Sequence, residues 1–194
     1  MKFFLARLCL TILCFSSVSV NAAILNVVGG KLAGASGVDV LGVQYDVAFL
    51  DGSCVSLFNG CIDNQFTFVT HASAQTAAEA LFAQVFIDGA AGLFDSNPGL
   101  TNGCDNTALC DVLTPYHAAS GGVFVYTAFN GNGNSNHANA QFVGQTTADF
   151  TNDDAVVYAR WTLASPAAVP EPASLALLVA GALALTAFRR PAPC

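Results

Sequence analysis

The sequence predicts a small α+β domain. Its core is a mostly antiparallel β-sheet with one amphipathic helix, flanked by an N-terminal signal peptide and a C-terminal transmembrane helix. Three observations carry this prediction. Between residues 23 and 164, short runs of apolar and β-branched residues are bounded by Gly, Asn and Asp, as strands are. One stretch, from Thr76 to Phe86, departs from that rhythm with a helical stripe. Each end of the chain carries an uncharged apolar run beside basic residues.

The first 22 residues read as the signal peptide. Lys2 and Arg7 make a positive start, and Leu8 to Val20 is apolar or small throughout. Val20-Asn21-Ala22 then offers a cleavage site, with the cut expected after Ala22 and Ala23 as the next choice. Export through the Sec translocon follows.

The domain comes next, over residues 23–164. Ile24 to Val28 alternates weakly, and Gly29-Gly30 and Gly34 to Gly37 read as turns. Val38 to Leu50 is the clearest strand region, with Val43, Tyr45, Val47 and Phe49 on one face, and Asp51-Gly52 ends it. Gln65 to Val69 is a further apolar run with Phe66 and Phe68 alternating. The helix then opens on a capping box, Thr76-Ala77-Ala78-Glu79. Leu81, Phe82, Val85 and Phe86 form its apolar stripe, and Asp88-Gly89 stops it.

Asp95 to Asp111 reads as loop, and Val123 to Phe129 as strand. Asn130 to Asn139 is a Gly/Asn-rich tract that reads as a flexible hairpin tip or a longer loop. Ala140 to Phe150 and Ala155 to Leu163 are the last strands, and residues 165–169 are a small-residue linker.

Charge narrows the function. The whole chain has only six Lys and Arg, too few for a basic patch, so nucleic acid is excluded as a partner. Between residues 23 and 169 only Lys31 and Arg160 are basic, against eleven Asp and Glu79, for a net charge near −10.

Four cysteines fall in the same stretch: Cys54, Cys61, Cys104 and Cys110. An even number in an exported domain reads as a disulfide framework with three possible connectivities. Local pairing, Cys54 with Cys61 and Cys104 with Cys110, is favoured. Cross-pairing would close longer loops but requires the two segments to meet. A zinc site is the alternative, and the spacing is not of the CxxC type.

No catalytic signature emerges. His71, His117 and His137 lie in separate segments with no HxH or HxxxH spacing, and no G-x-S-x-G elbow occurs. No metal ligand set and no cofactor are expected. Calcium is the one cation the Asp- and Asn-rich loops would suit, at Asp95 with Asn97, at Asp105 with Asn106 and Asp111, or at Asp153-Asp154. The simpler reading is that these side chains hydrogen-bond their own turns. Tyr116, Tyr126, Tyr158 and Trp161 are the aromatics available to a glycan, although strand aromatics more often fill cores.

The last 25 residues are the most specific feature. Val169-Pro170-Glu171-Pro172-Ala173-Ser174 precedes an apolar run, Leu175 to Phe188, closed by Arg189-Arg190. As a helix, Ala173 to Phe188 spans about 24 Å, short of the roughly 30 Å hydrocarbon core. The arginines should stay on the cytoplasmic side, which puts the domain on the other.

This three-part end, residues 170–194, resembles the PEP-CTERM sorting signal of Gram-negative bacteria, with Val169, Pro170, Glu171, Pro172, Arg189 and Arg190 as the motif residues. The tail Pro191-Ala192-Pro193-Cys194 departs from the usual pattern. The stretch from Gly34 to Cys54 also looks like the opening of one group of such proteins. The resemblance implies recognition and processing by an exosortase, with exopolysaccharide as a further partner. It implies an inner-membrane intermediate with the domain in the periplasm, then a surface or extracellular-matrix protein with no evident catalysis. A calcium- or carbohydrate-binding adhesin module and a secreted hydrolase are the alternative functions.

Overall fold

The computed structural model describes residues 22–133 and 135–165. The predicted signal peptide up to residue 21, the residues of the sorting motif and the predicted transmembrane helix lie outside that range. Among the described residues, no helix is long and apolar enough to cross a membrane.

The chain opens with strands β1 (Ile24–Val28), β2 (Lys31–Val40) and β3 (Val43–Leu50). A single helical turn, α1 (Cys54–Leu57), and the long helix α2 (His71–Gln84) follow. A two-strand ribbon, β4 (Asp88–Gly89) and β5 (Gly92–Leu93), comes next. The last strands are β6 (Leu109–Ala119), β7 (Gly122–Gly131), β8 (His137–Val143) and β9 (Val156–Leu163). Seven strands form one sheet in the order β1-β2-β3-β9-β6-β7-β8. Every pairing is antiparallel except β6 with β9, so the sheet is mostly antiparallel.

Several elements differ from the sequence reading. Val38 to Leu50 is two strands. Leu41 and Gly42 both take positive φ, 54° and 83°, and make the tight turn between β2 and β3. A leucine in that turn hides it from a pattern search, and its side chain is 83% exposed. Gly34 to Gly37 is not a turn but part of β2, where the register shifts between Ala35 and Val38. Gly37 supplies the left-handed residue of that bulge, with φ of 70°.

The helix is capped six residues earlier than expected. Thr70 is the N-cap: its hydroxyl accepts from Ser73 N at 3.2 Å while Ser73 Oγ accepts from Thr70 N at 3.3 Å. Serine does the work of the Glu or Gln that the capping-box pattern looks for. Thr76 is interior and donates to Ala72 O (3.0 Å), and Glu79 accepts from Gln75 Nε2 (2.8 Å). The helix ends at Gln84, with Val85 as C-cap, before the expected Asp88-Gly89 stop. Phe66 and Phe68 are buried from a loop, not a strand.

Strand β6 begins inside the expected Asp95–Asp111 loop and continues through residues that the sequence pattern leaves unassigned. Pro115 obscures it. The strand accommodates that proline beside a bulge between Pro115 and His117. β8 ends at Val143, so Ala140 to Phe150 is strand only in part.

Helix α2 lies on one face of the sheet. Its buried residues, Ala74, Ala77, Ala78, Ala80 and Leu81, recur at helical spacing, and the alanines let it approach closely. Leu32, Val38, Phe49, Val112, Tyr126, Ala128 and Trp161 meet it in the main core, with Phe86 and Phe94. The opposite face is covered by the α1 segment and the loop after it, through Cys54, Phe58, Cys61 and Phe66 against Leu113, Val123, Val125 and Tyr158.

Candidate functional site

The cysteines sit where the two covering layers need anchoring. Cys54 bonds to Cys61, with Cα atoms 5.2 Å apart, and Cys104 to Cys110 at 5.8 Å. All four are buried. The second bridge has a further anchor. Lys31 Nζ donates to Gly99 O (2.5 Å), to Cys104 O (2.8 Å) and to Asp105 Oδ1 (2.7 Å). One of the two cations in residues 23–169 is thereby committed to holding a loop. The cleavage-site candidates Ala22 and Ala23 stand directly before β1, with Ala22 exposed and Ala23 packed in part against the core.

Of the carboxylates named for calcium, Asp153 bonds within its own turn, whereas Asp95 and Asp105 bond Asn136 and Lys31 across the fold. Asp95 Oδ1 accepts from Asn136 Nδ2 (2.5 Å), and Asp153 Oδ1 accepts from Ala155 N (3.0 Å). Asp154 O accepts from Asp105 N and Asn106 N, both at 2.9 Å. Asp88 takes Asp95 N and Ser96 N at 3.0 Å each, and its hydrogen bonds from Ser96 hold its carboxyl below the usual value. Asp51 is pushed the other way, by burial and then by Asp105 and Asp149. Among the described residues, no group of three or more His, Cys, Asp or Glu is arranged to hold a metal ion.

The histidines take different surroundings. His137 opens β8 and stacks on Phe129, ring centres 4.4 Å apart. His71 is the first residue of α2, and its ring meets Tyr126 and Tyr116 edge-on at 5.1 and 5.8 Å. His117, on β6, has its Nδ1 3.0 Å from Asp63 Oδ2. Asp63 Oδ1 also accepts from Ala118 N (2.5 Å), and that bond, with the His117 contact, lowers its pKa.

The sheet explains how residues 54 apart meet. β6 and β9 pair only over Asp111–Leu113 with Val156–Tyr158, then separate. The loop from Cys61 to Thr70 occupies the gap. Thr67 Oγ1 donates to Trp161 O (2.5 Å), Trp161 Nε1 donates to Thr114 Oγ1 (3.1 Å), and Asp63 reaches β6. Sequence spacing carries no trace of this juxtaposition. Of the aromatics named for a glycan, Tyr158, Trp161 and Tyr126 are buried, at 0%, 4% and 7% exposed, and only Tyr116 is open in part. Burial pushes the Tyr158 phenol up to about 12.

Comparison with known proteins adds one finding. Residues 168–190 match the family model described as the PEP-CTERM protein-sorting motif. The match covers the Pro-Glu-Pro residues, the apolar run and both arginines, so the resemblance read from that end stands. The motif marks an exported protein sorted by an exosortase. No curated protein and no solved structure matches the chain.

Proposed function

We propose that the chain is a non-enzymatic surface or extracellular-matrix protein, exported by the Sec route and processed at its Pro-Glu-Pro signal. In this reading residues 1–22 direct export and residues 23–164 fold outside the cytoplasm. Residues 165–169 link the domain to the signal. The apolar helix holds the precursor in the inner membrane with Arg189 and Arg190 inside, and an exosortase then removes it. The observation that carries the reading is the sorting-motif match over residues 168–190.

Two physical features support it. Two bonded cysteine pairs suit an oxidising compartment. The last strand ends at Leu163, and the seven residues from there to Pro170 reach at most about 25 Å when extended. A processing enzyme at the outer membrane boundary would therefore work with a folded domain close by. A 16-residue helix falls about 6 Å short of the hydrocarbon core, which suits brief residence better than lasting anchorage.

Intact mass of the protein recovered from the surface or medium tests this reading. The expected species lacks Leu175 to Cys194. Glu171→Ala, or loss of Arg189 and Arg190, should leave a membrane-bound precursor. An alkaline phosphatase fusion after Val169 should be active. A species still ending at Cys194, in a host with an active exosortase, would mean that this end is an ordinary anchor.

A further inference from the structure

Helix α2 leaves part of its own sheet face uncovered. Its first residue, His71, lies over Tyr126. Two residues along β7 on the same face is Phe124, and among the described residues no helix covers it. Phe124 pairs in register with His117 of β6 on one side and Phe142 of β8 on the other. The three rings form a row: His117 stacks on Phe124 at 5.9 Å with 12° between planes, and Phe124 meets Phe142 at 4.9 Å. Tyr116 adjoins the row, 6.2 Å from Phe124. The outer two rings are open: the His117 side chain is 54% exposed and Phe142 is 50% exposed.

The row is held in place. Phe142 lies across β7 at Gly122, where a Cβ would come within 2.4 Å of the ring's Cζ. Asp63 fixes His117 through its Nδ1. Asp63 also lines a shallow depression of about 400 Å³ with Ile62, Asn64 and Ala118, which opens towards the loop-covered face where Ala118 pairs with Val123. The two phenyl rings thus stand next to an imidazole held by a carboxylate.

We propose that this row is a binding shelf for a neutral polysaccharide, with His117, Phe124 and Phe142 stacking on sugar rings and Asp63 and Tyr116 meeting hydroxyls. The negative face of an aromatic ring attracts the polarised C–H groups on one side of a pyranose, and planar polar side chains bond its rim. Charge selects a neutral ligand. The domain is near −10, its Lys31 is committed to a loop, and a polyanion would be repelled. Shape argues against a second copy of this chain. Three rings on adjacent strands span about 10 Å and present on the order of 200 Å², far less than the roughly 800 Å² per partner of a stable protein interface. The proposal rests on the export reading only for where the ligand is met.

Affinity electrophoresis of the purified, disulfide-bonded full chain tests it. The gels hold a β-glucan, an α-glucan or a galactomannan, with alginate as the anionic control. At least one neutral polysaccharide should retard the protein and alginate should not. Phe142→Ala and His117→Ala should each raise the half-saturating concentration tenfold or more. Phe142→Trp should stay within threefold of the parent, as should Ile24→Ala on the far edge strand. Phe142 is exposed on an edge strand, so its variants should fold, and circular dichroism checks this. Absence of retardation by all three neutral polymers overturns the proposal, as does retardation indifferent to Phe142→Ala. So does a concentration-dependent dimer that Phe142→Ala dissolves, which would make the row a protein interface. Binding is read on purified protein, so its failure leaves the export reading untouched, and an inactive phosphatase fusion leaves the binding result untouched.

Discussion

The two faces of the sheet are covered by different means. On one face α2 spans several strands and buries alanines and Leu81. A helix satisfies its interior backbone groups by itself, so it need only present an apolar side. On the other face the cover is a one-turn helix and a loop, and their backbone groups must find partners outside. Val55 N donates to Thr146 O (3.1 Å), and Phe150 N to Gly52 O (3.3 Å). Phe58 packs edge-on against Phe66 and Tyr158, at 5.5 and 5.6 Å. The Cys54–Cys61 bridge closes that segment on itself. The difference teaches that a loop can do the work of a helix when it is cross-linked and anchored by aromatics.

The largest effect should come from removing that cross-link. Cys54→Ala with Cys61→Ala should cost about 4 kcal/mol. Closing so short a loop is worth about 2.5 kcal/mol in the chain-entropy model, and both sulfurs are also buried. Urea denaturation measures the loss. Hydrogen exchange should show protection falling first across residues 53–66 while β6 and β7 keep theirs.

On the helix face, Leu81→Ala should cost about 3 kcal/mol, because Leu81 is fully buried and its neighbours on α2 are already small. The same urea series reads it. A cost greater than that of the cysteine pair would reverse the ordering of the two covers.

The contrast also explains what the sequence made legible. Of the expected stripe Leu81, Phe82, Val85 and Phe86, three residues are buried and Phe82 is half-buried, but the helix ends at Gln84, so Val85 and Phe86 are buried from its cap and the turn after it. The sheet was readable as strands but not as an order. The placing of β9 between β3 and β6 depends on long-range pairing that no local pattern encodes. The cover of the second face was not readable. Phe58 and Phe66 have no periodicity, and their burial follows from the gap between β6 and β9. The sorting end was readable without any fold, because an enzyme is expected to recognise it as extended motif and apolar run. The aromatic row lay hidden, since Phe124 and Phe142 become neighbours only through the β7–β8 register.

A smaller effect sharpens the helix side. Thr70→Ala removes the N-cap and should cost about 1 kcal/mol. Thr76→Ala, at the position the sequence pattern chose as cap, should change stability by less than about 0.5 kcal/mol. Its hydroxyl only donates back to Ala72 O inside the helix. Equal costs at the two positions would place the helix start where the pattern put it.

The smallest effect concerns a carboxylate on the loop-covered face. Asp111 shares its side of β6 with Leu113 and lies in register with Phe129, which stacks on His137. Its Oδ1 is buried without a hydrogen-bond partner among the described residues. Burial raises its pKa above 3.8, Asp153 adds to the rise, and His137 partly opposes it. For a carboxyl with a raised folded pKa, the folded state holds its proton more tightly than the unfolded state. Its charge therefore costs stability at neutral pH, and the cost is relieved as pH falls through the raised value and is gone below about 3.8. Asp63, Asp88 and Asp149 have lowered values, so their contributions run the other way and are lost in acid. Asp111→Asn separates the two. It should raise Tm by about 2 °C at pH 7, a modest figure because partial exposure screens the charge. The gain should shrink towards zero near pH 3.5, where the parent's Asp111 is already neutral. A gain equal at both pH values would trace to side-chain packing and not to charge, and a loss at pH 7 would mean that the His137 attraction outweighs burial.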